Sequence, residues 1–477
     1  MSNPTEKKLN VVMLPFIAHG HIFPFLELAK KLVSCQRCNV DIHFISTPIN
    51  LKQIKVNLAS NSNFLGRKIK LLELHLPVLP ELPSHLHSTK YIHPDLLPRL
   101  TRAFDRSSPA FEKILETLKP DILIYDILET WAPLAAKRLG IPSVLFCITG
   151  ATSAAFFHHF YVSPDKLFPF PSINVTLNDL SRPVMSAFNE EDESGLTPRE
   201  EWGVTINSSS SFIVIRSFRE IEAKYIDYLS LILKKEVAVV GPLLPDFSND
   251  PLVDEQEHER IMGWLERRER RSVVYVSFGS EYFMTNKEME QLALGLEKSG
   301  ASFIWVVRLP KQRTEKTVKA HDPDIYATEL PNVPPEKGIV VDGWAPQLKI
   351  LEHPNLGAFL THCGRSSMLE GMRVGVPMIA LPMQVDQPLN AKLIVELGIG
   401  LEIPQQGLGN FKAEDVATCI TQVLKSDHSE RIRGKVDDLA REMSSRNYDS
   451  DIELLAEKMM ALCNSRDQDV DSSMNKD

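Results

Sequence analysis

Along this chain, short and nearly continuous apolar runs alternate with stretches whose apolar positions recur at helical spacing. LNVVMLP (9–15) precedes a helical pattern over Phe23–Leu32; DIHFIST (41–47) and KIKLLELHL (68–76) follow. DILIYDI (121–127) and PSVLFCI (142–148) come next, separated by a helix that starts near Trp131. Runs that stay apolar at successive positions predict strands buried on both faces, as in a parallel sheet with helical crossovers. GPLLPDFSNDP (241–251) is Pro-rich and polar and reads as a linker. Beyond it the pattern restarts with SVVYVSFGS (272–280), SFIWVVR (302–308), KGIVVDGW (337–344), GAFLTH (357–362) and PMIALPM (377–383). Helices fit between these at 285–299, 346–353, 366–374 and 388–397.

The pattern predicts an α/β chain of two doubly wound domains facing across a cleft, with ligands gathered at the C-terminal ends of the strands. The expected boundaries are 1–240 for the first domain, 241–253 for the linker and 254–447 for the second domain. A C-terminal helix over 448–463 is expected to pack back on the first domain, and the polar tail 464–477 to be disordered. The charged, Pro-rich segment 310–335 reads as a solvated loop.

Composition narrows the function more than the fold. The 477 residues carry a formal net charge of −9, which argues against nucleic acid or an anionic membrane surface as the main partner. The N-terminus MSNPTEKKLN is too polar for a secretory signal, and no segment approaches the roughly 18 apolar residues of a membrane span. Six scattered cysteines are then expected to stay reduced in a cytoplasmic protein, Cys35 and Cys38 included. Neither GxGxxG nor GxxxxGK[ST] occurs in either half, which counts against nicotinamide cofactors and P-loop nucleotides. Asp322-Pro323-Asp324 has a metal-holding spacing but sits in the charged loop. The pairs His85/His87 and His158/His159 lack further ligands, so no metal site is expected.

The chemistry concentrates in Trp344–Gln387, WAPQLKILEHPNLGAFLTHCGRSSMLEGMRVGVPMIALPMQVDQ. Arg365, Ser366 and Ser367 open a helix after a strand, where unpaired N–H groups and the helix dipole favour an anion. His362 ends that strand beside them. Glu370 lies one turn along, placed to accept two vicinal hydroxyls, and Trp344 offers a flat face to a base. Asp386 and Gln387 follow another strand and suit sugar hydroxyls. Singly, each residue has an ordinary structural use: a serine N-cap, a solvated glutamate, a core tryptophan. Together at these spacings they match an extended nucleotide-sugar.

This stretch resembles, without a gap, the signature box of the plant UDP-dependent glycosyltransferases of family 1, inverting enzymes with the two-domain Rossmann-like fold called GT-B. The resemblance spans nearly the whole chain, from AHGHIFPFLELAKKL through SFGSEYF to the box. It implies that Trp344 stacks on the uracil, with Ala345 and Gln347 alongside, and that Glu370 holds the ribose. Ser280, His362, Gly364, Ser366 and Ser367 are implied at the diphosphate, and Arg365, Asp386 and Gln387 at the transferred sugar. It also implies His21 of Gly20-His21-Ile22-Phe23-Pro24 as the general base, oriented by Asp126 at the end of LIYD. An alcohol attacking an anomeric carbon must lose its proton, and an imidazole titrating near neutral pH suits that task. His19 is the rival base. The co-substrate is a UDP-sugar, with no cofactor and no metal required, and the chain is expected to act as a monomer.

Two departures from the family box HCGWNS stand out, Arg365 in place of Trp and Ser366 in place of Asn. A guanidinium pairs bidentately with a carboxylate, which brings UDP-glucuronate level with UDP-glucose as the expected donor. UDP-rhamnose or a pentose donor, and an inactive nucleotide-sugar-binding relative, remain as alternatives. FGSEYF, STPINL and LPSHLHSTKYIHPDLLP resemble the branch that extends flavonoid or terpenoid glycosides. Phe16, Trp131, Phe156 and Phe157 are aromatic candidates for contact with the acceptor.

Overall fold

The computed structural model describes residues 8–59, 63–80, 82–180, 196–245, 254–310 and 326–474. Linker residues 246–253 and Asp322-Pro323-Asp324 lie outside them. The chain divides into two compact units. The first comprises, of the described residues, 8–167, 196–243 and 447–474; the second comprises 168–180 and 244–446.

The first unit holds a seven-stranded sheet: β1 (Lys8–Leu14), β2 (Asn39–Ser46), β3 (Ile69–Glu73), β4 (Ile122–Tyr125), β5 (Ser143–Cys147), β6 (Phe212–Ile215) and β7 (Glu236–Val239). Its order is β3-β2-β1-β4-β5-β6-β7, and every pairing is parallel. The second holds β8 (Val273–Ser277), β9 (Ser302–Val307), β10 (Gly338–Asp342), β11 (Leu356–Thr361), β12 (Met378–Ala380) and β13 (Gly400–Glu402). Its order is β10-β9-β8-β11-β12-β13, again all parallel. Both are doubly wound, and β4, β5, β8 and β11 are buried along their whole length, as the continuous apolar runs require.

Reversal of strand order defines one switch point per sheet, between β1 and β4 in the first unit and between β8 and β11 in the second. Loops leaving the C-terminal ends of such strand pairs diverge and leave a crevice for ligand.

Two local differences from the sequence reading have clear causes. Residues 168–180 belong with the second unit, where Ser172 Oγ donates to Glu396 Oε2 at 2.9 Å. The last helix runs Asp449–Met474, past Asn464, because that polar stretch contains neither Pro nor Gly to stop it. Its Ile452, Leu455, Ala456, Met459 and Cys463 join the core of the first unit. Among the described residues no helix is long and apolar enough to cross a membrane.

Candidate active site

In the first unit, β1 feeds the helix His19–Ser34, and His21 stands in that helix's first turn. Pro24 lies inside the helix, two residues beyond its first turn, and having no N–H it costs the helix the bond to the Gly20 carbonyl. The His21 ring meets Asp126 at the end of β4, with Nδ1 2.8 Å from Oδ2. The two residues lie 105 positions apart and come together because β1 and β4 are the switch-point neighbours. Asp126 is fully buried and accepts two further bonds, from Phe16 N at 3.4 Å on Oδ2 and from Ile127 N at 2.7 Å on Oδ1. Phe16 packs edge-on to the His21 ring, with centroids 5.4 Å apart. His19 is buried and stands edge-on to Phe23. It is His21, and not His19, that the structure brings to the aspartate.

The aromatic candidates separate. Trp131 is half-buried between Phe104 and Phe111, and its indole N–H donates to Asp105 at 3.0 Å. Phe156 is wholly buried core, whereas Phe157 is half-buried and lies against Trp202. His87 bonds the Leu82 carbonyl and His159 lies between the Tyr228 hydroxyl and the Lys166 carbonyl, so both are tied to the fold. No group of three metal-ligating side chains occurs among the described residues.

The second unit repeats the arrangement. β8 leads into Phe278-Gly279-Ser280, and β11 leads into His362 and the helix Arg365–Val374. The N-cap of that helix is Gly364, so neither Ser366 nor Ser367 is spent as a cap. Both serines, with Arg365, sit in the first turn, where N–H groups face outward and the dipole is positive. Arg365 and Ser367 are buried, Ser366 half-buried. His362 is buried; desolvation pushes its imidazole down to about 4 against a backbone hydrogen bond at Ser277, leaving a neutral ring. Its Nδ1 has no hydrogen-bond partner among the described residues. Two glycines fit around the ring: a Cβ at Gly279 would lie 2.7 Å from it and one at Gly364 2.5 Å. Ser280 is half-buried, and its carbonyl accepts from Arg308.

Glu370, on the same helix, is buried and takes a 2.6 Å bond from Gln347 Nε2 on one oxygen. Gln347 also reaches Ser367 Oγ at 3.4 Å and accepts from the Tyr275 hydroxyl at 3.2 Å. Gln347 therefore supports Glu370 as well as standing beside Trp344, which is half-buried after β10, and the buried Ala345. Asp386 caps the helix Gln387–Leu397 by position. The Gln387 amide oxygen is occupied by the turn itself, accepting from Met383 N at 2.9 Å and Gln384 N at 3.0 Å. Only its amide N–H groups can then serve a ligand, which narrows the role expected from sequence.

Sequence reasoning missed Asn390. Fully buried, it donates to the Cys363 carbonyl at 3.0 Å and to Asp386 Oδ2 at 3.2 Å, joining the two turns. Each turn holds a non-glycine residue in the left-handed region, Cys363 at φ 67° and Val385 at φ 53°. Such conformations cost energy and persist where the surroundings enforce them. The i, i+4 spacing of Asp386 and Asn390 on one helix face was the available signal.

Comparison with known proteins identifies the family. The family model described as UDP-glucoronosyl and UDP-glucosyl transferase matches residues 247–433, and a glycosyltransferase N-terminal domain model matches residues 7–245. UDP-glucosyltransferase 29 of Panax ginseng is 40% identical over 459 residues, covering 96% of this chain and 97% of that protein. Cyanidin-3-O-glucoside 2-O-glucuronosyltransferase of Bellis perennis is 36% identical over 96% of this chain and 98% of its own length. Among solved structures, UGT73P12 of Glycyrrhiza uralensis, complexed with glycyrrhetinic acid 3-O-monoglucuronide, superposes with a TM-score of 0.78. At 22% identity, covering 98% of this chain and 99% of that one, it is a likeness of fold.

Proposed function

The chain belongs to the UDP-glucoronosyl and UDP-glucosyl transferase family, the plant family 1 UDP-glycosyltransferases of GT-B fold, and from that premise we propose that it carries glucose or glucuronate from UDP onto a hydroxyl of a small lipophilic metabolite that already bears a sugar. The observation that carries this reading is the pair of switch points, one presenting His21 on Asp126 and the other a helix N-terminus with His362 and Glu370. The reaction is a single displacement. His21 Nε2 takes the acceptor's hydroxyl proton as the oxygen bonds to the anomeric carbon. The bond from that carbon to the diphosphate breaks, and its electron pair leaves with UDP. Configuration inverts.

Asp126 accepts from Nδ1–H, which fixes the tautomer that leaves Nε2 able to take a proton, and it stabilises the imidazolium that results. On the donor side, Trp344 is placed for the uracil, with Ala345 and Gln347 beside it, and Glu370, held by Gln347, for the ribose. His362, Ser280, Gly364, Ser366, Ser367 and the first-turn N–H groups receive the diphosphate, where preorganised donors stabilise charge developing on the leaving group. Asp386 and Gln387 take hydroxyls of the transferred sugar. The His362 ring, whose Nδ1 has no hydrogen-bond partner among the described residues, fits a donor to phosphate in the tautomer that carries its proton on Nδ1. A glycoside acceptor and a glucuronate donor are supported by the name of the Bellis relative, and glucose by that of the ginseng one.

Arg365 tests the donor. A buried guanidinium beside the sugar stabilises a carboxylate by charge-assisted bonds of about 1.5–3 kcal/mol. Arg365→Trp is therefore expected to shift the kcat/KM ratio of UDP-glucuronate to UDP-glucose about tenfold or more toward glucose. Competition between the two donors, read by product mass, measures it. An unchanged ratio refutes a carboxylate role for Arg365.

A further inference from the structure

We propose that Glu129 is a proton-bearing carboxylic acid set behind Asp126, a positioning residue that holds the buried Asp126–Glu129 pair at one negative charge so that His21 remains a neutral base. This rests on the reading of His21 as base. Glu129 lies between β4 and the helix Trp131–Arg138. The turn is closed by Glu129 N to Asp126 O at 3.5 Å and Ala132 N to Glu129 O at 3.2 Å. Both Asp126 and Glu129 are 0% exposed, yet their surroundings are opposite. Asp126 receives three hydrogen bonds, one from an imidazole. Neither oxygen of Glu129 has a hydrogen-bond partner among the described residues.

A buried carboxylate without partners gives up its charge rather than bear the loss of solvation. Burial is the largest influence raising Glu129 well above the ordinary carboxylate range, followed by the charges of Asp126 and of Asp105 on the neighbouring helix Leu97–Asp105. The nearby backbone N–H groups of Asp126 and Glu129, short of hydrogen-bond geometry, oppose these effects more weakly. Asp105 is itself held by the Trp131 indole. His21 is the cation-forming group of the cluster, and its contact is with Asp126. Were Glu129 ionised, a second negative charge would stand behind the imidazole. The ring would then keep its proton and could not accept one from an alcohol. Of the two buried carboxyls, the one met by hydrogen-bond donors carries the charge and the one without them carries a proton.

The test uses the whole chain without substrate. An infrared difference spectrum, wild type minus Glu129→Gln at neutral pH, is expected to show the C=O stretch of an un-ionised carboxylic acid. Histidine-labelled NMR, with the His21 signal assigned from His21→Gln, is expected to give the same imidazole titration midpoint in wild type and Glu129→Gln. A carboxylate band in place of the acid band overturns the proposal. So does a fall of the His21 midpoint in Glu129→Gln, because it means that a negative neighbour was removed. Should Glu129→Gln not fold, Glu129→Met gives the same difference spectrum and titration. Neither readout depends on turnover, so failure of the base reading would show separately, as undiminished activity in His21→Ala.

Discussion

Replacing His21 with Ala is expected to lower kcat by about 10²–10⁴-fold, the range that a positioned general base contributes, while UDP binds as before. The separation follows from the fold: His21 belongs to the first unit's switch point, whereas the residues proposed to hold UDP belong to the second unit. The deleted ring also leaves Asp126 buried with only backbone donors, which costs stability, so the variant's melting temperature must be measured beside its rate. A folded His21→Ala protein that binds UDP and turns over at the wild-type rate would remove His21 from the mechanism. His19, edge-on to Phe23, would be the next histidine to examine.

Asp126→Asn carries the second large effect, about 10⁴-fold in kcat by the measure of an aspartate lost from a hydrolytic triad. Asp126 accepts on both oxygens, from His21 and Phe16 N on Oδ2 and from Ile127 N on Oδ1. Asparagine offers one oxygen. If that oxygen stays on Ile127 N, its amide N–H faces His21 Nδ1 and forces the proton to Nε2, the atom that must accept from the alcohol. The variant therefore holds the ring in the wrong tautomer while nearly preserving volume. Its rate against pH, compared with wild type, distinguishes this from simple unfolding, which circular dichroism would report. Retention of full activity in Asp126→Asn would show that the carboxylate charge is not needed.

Much of this was legible in the chain because parallel, doubly wound sheets write themselves as continuous apolar runs. β3, β4, β5, β8, β9, β10 and β12 fall within the runs read from sequence, with β3 stopping at Glu73 and β12 at Ala380, and β1, β2 and β11 begin one or two residues before theirs. β6, β7 and β13 escaped notice, being three or four residues long, below the length at which an apolar run separates from a helix segment. In the site, the positions of His21, Asp126, His362 and Glu370 follow from strand ends and motif spacing. Their partners do not. That Gln347 braces Glu370, that the Gln387 carbonyl is used by its own turn, and that Asn390 joins two strained loops depend on loop conformations that spacing leaves open. Glu129 stood three residues from Asp126 in plain view, but its burial and lack of partners exist only in the folded chain.

UDP release measured with UDP-glucose and UDP-glucuronate, each with and without a flavonoid 3-O-glucoside or a triterpenoid glucoside and with products weighed by mass spectrometry, tests the central claim most directly. The account predicts acceptor-dependent UDP release with at least one pairing, and a product heavier by one sugar residue. A folded protein that binds UDP but releases none from either donor with either glycoside would contradict it.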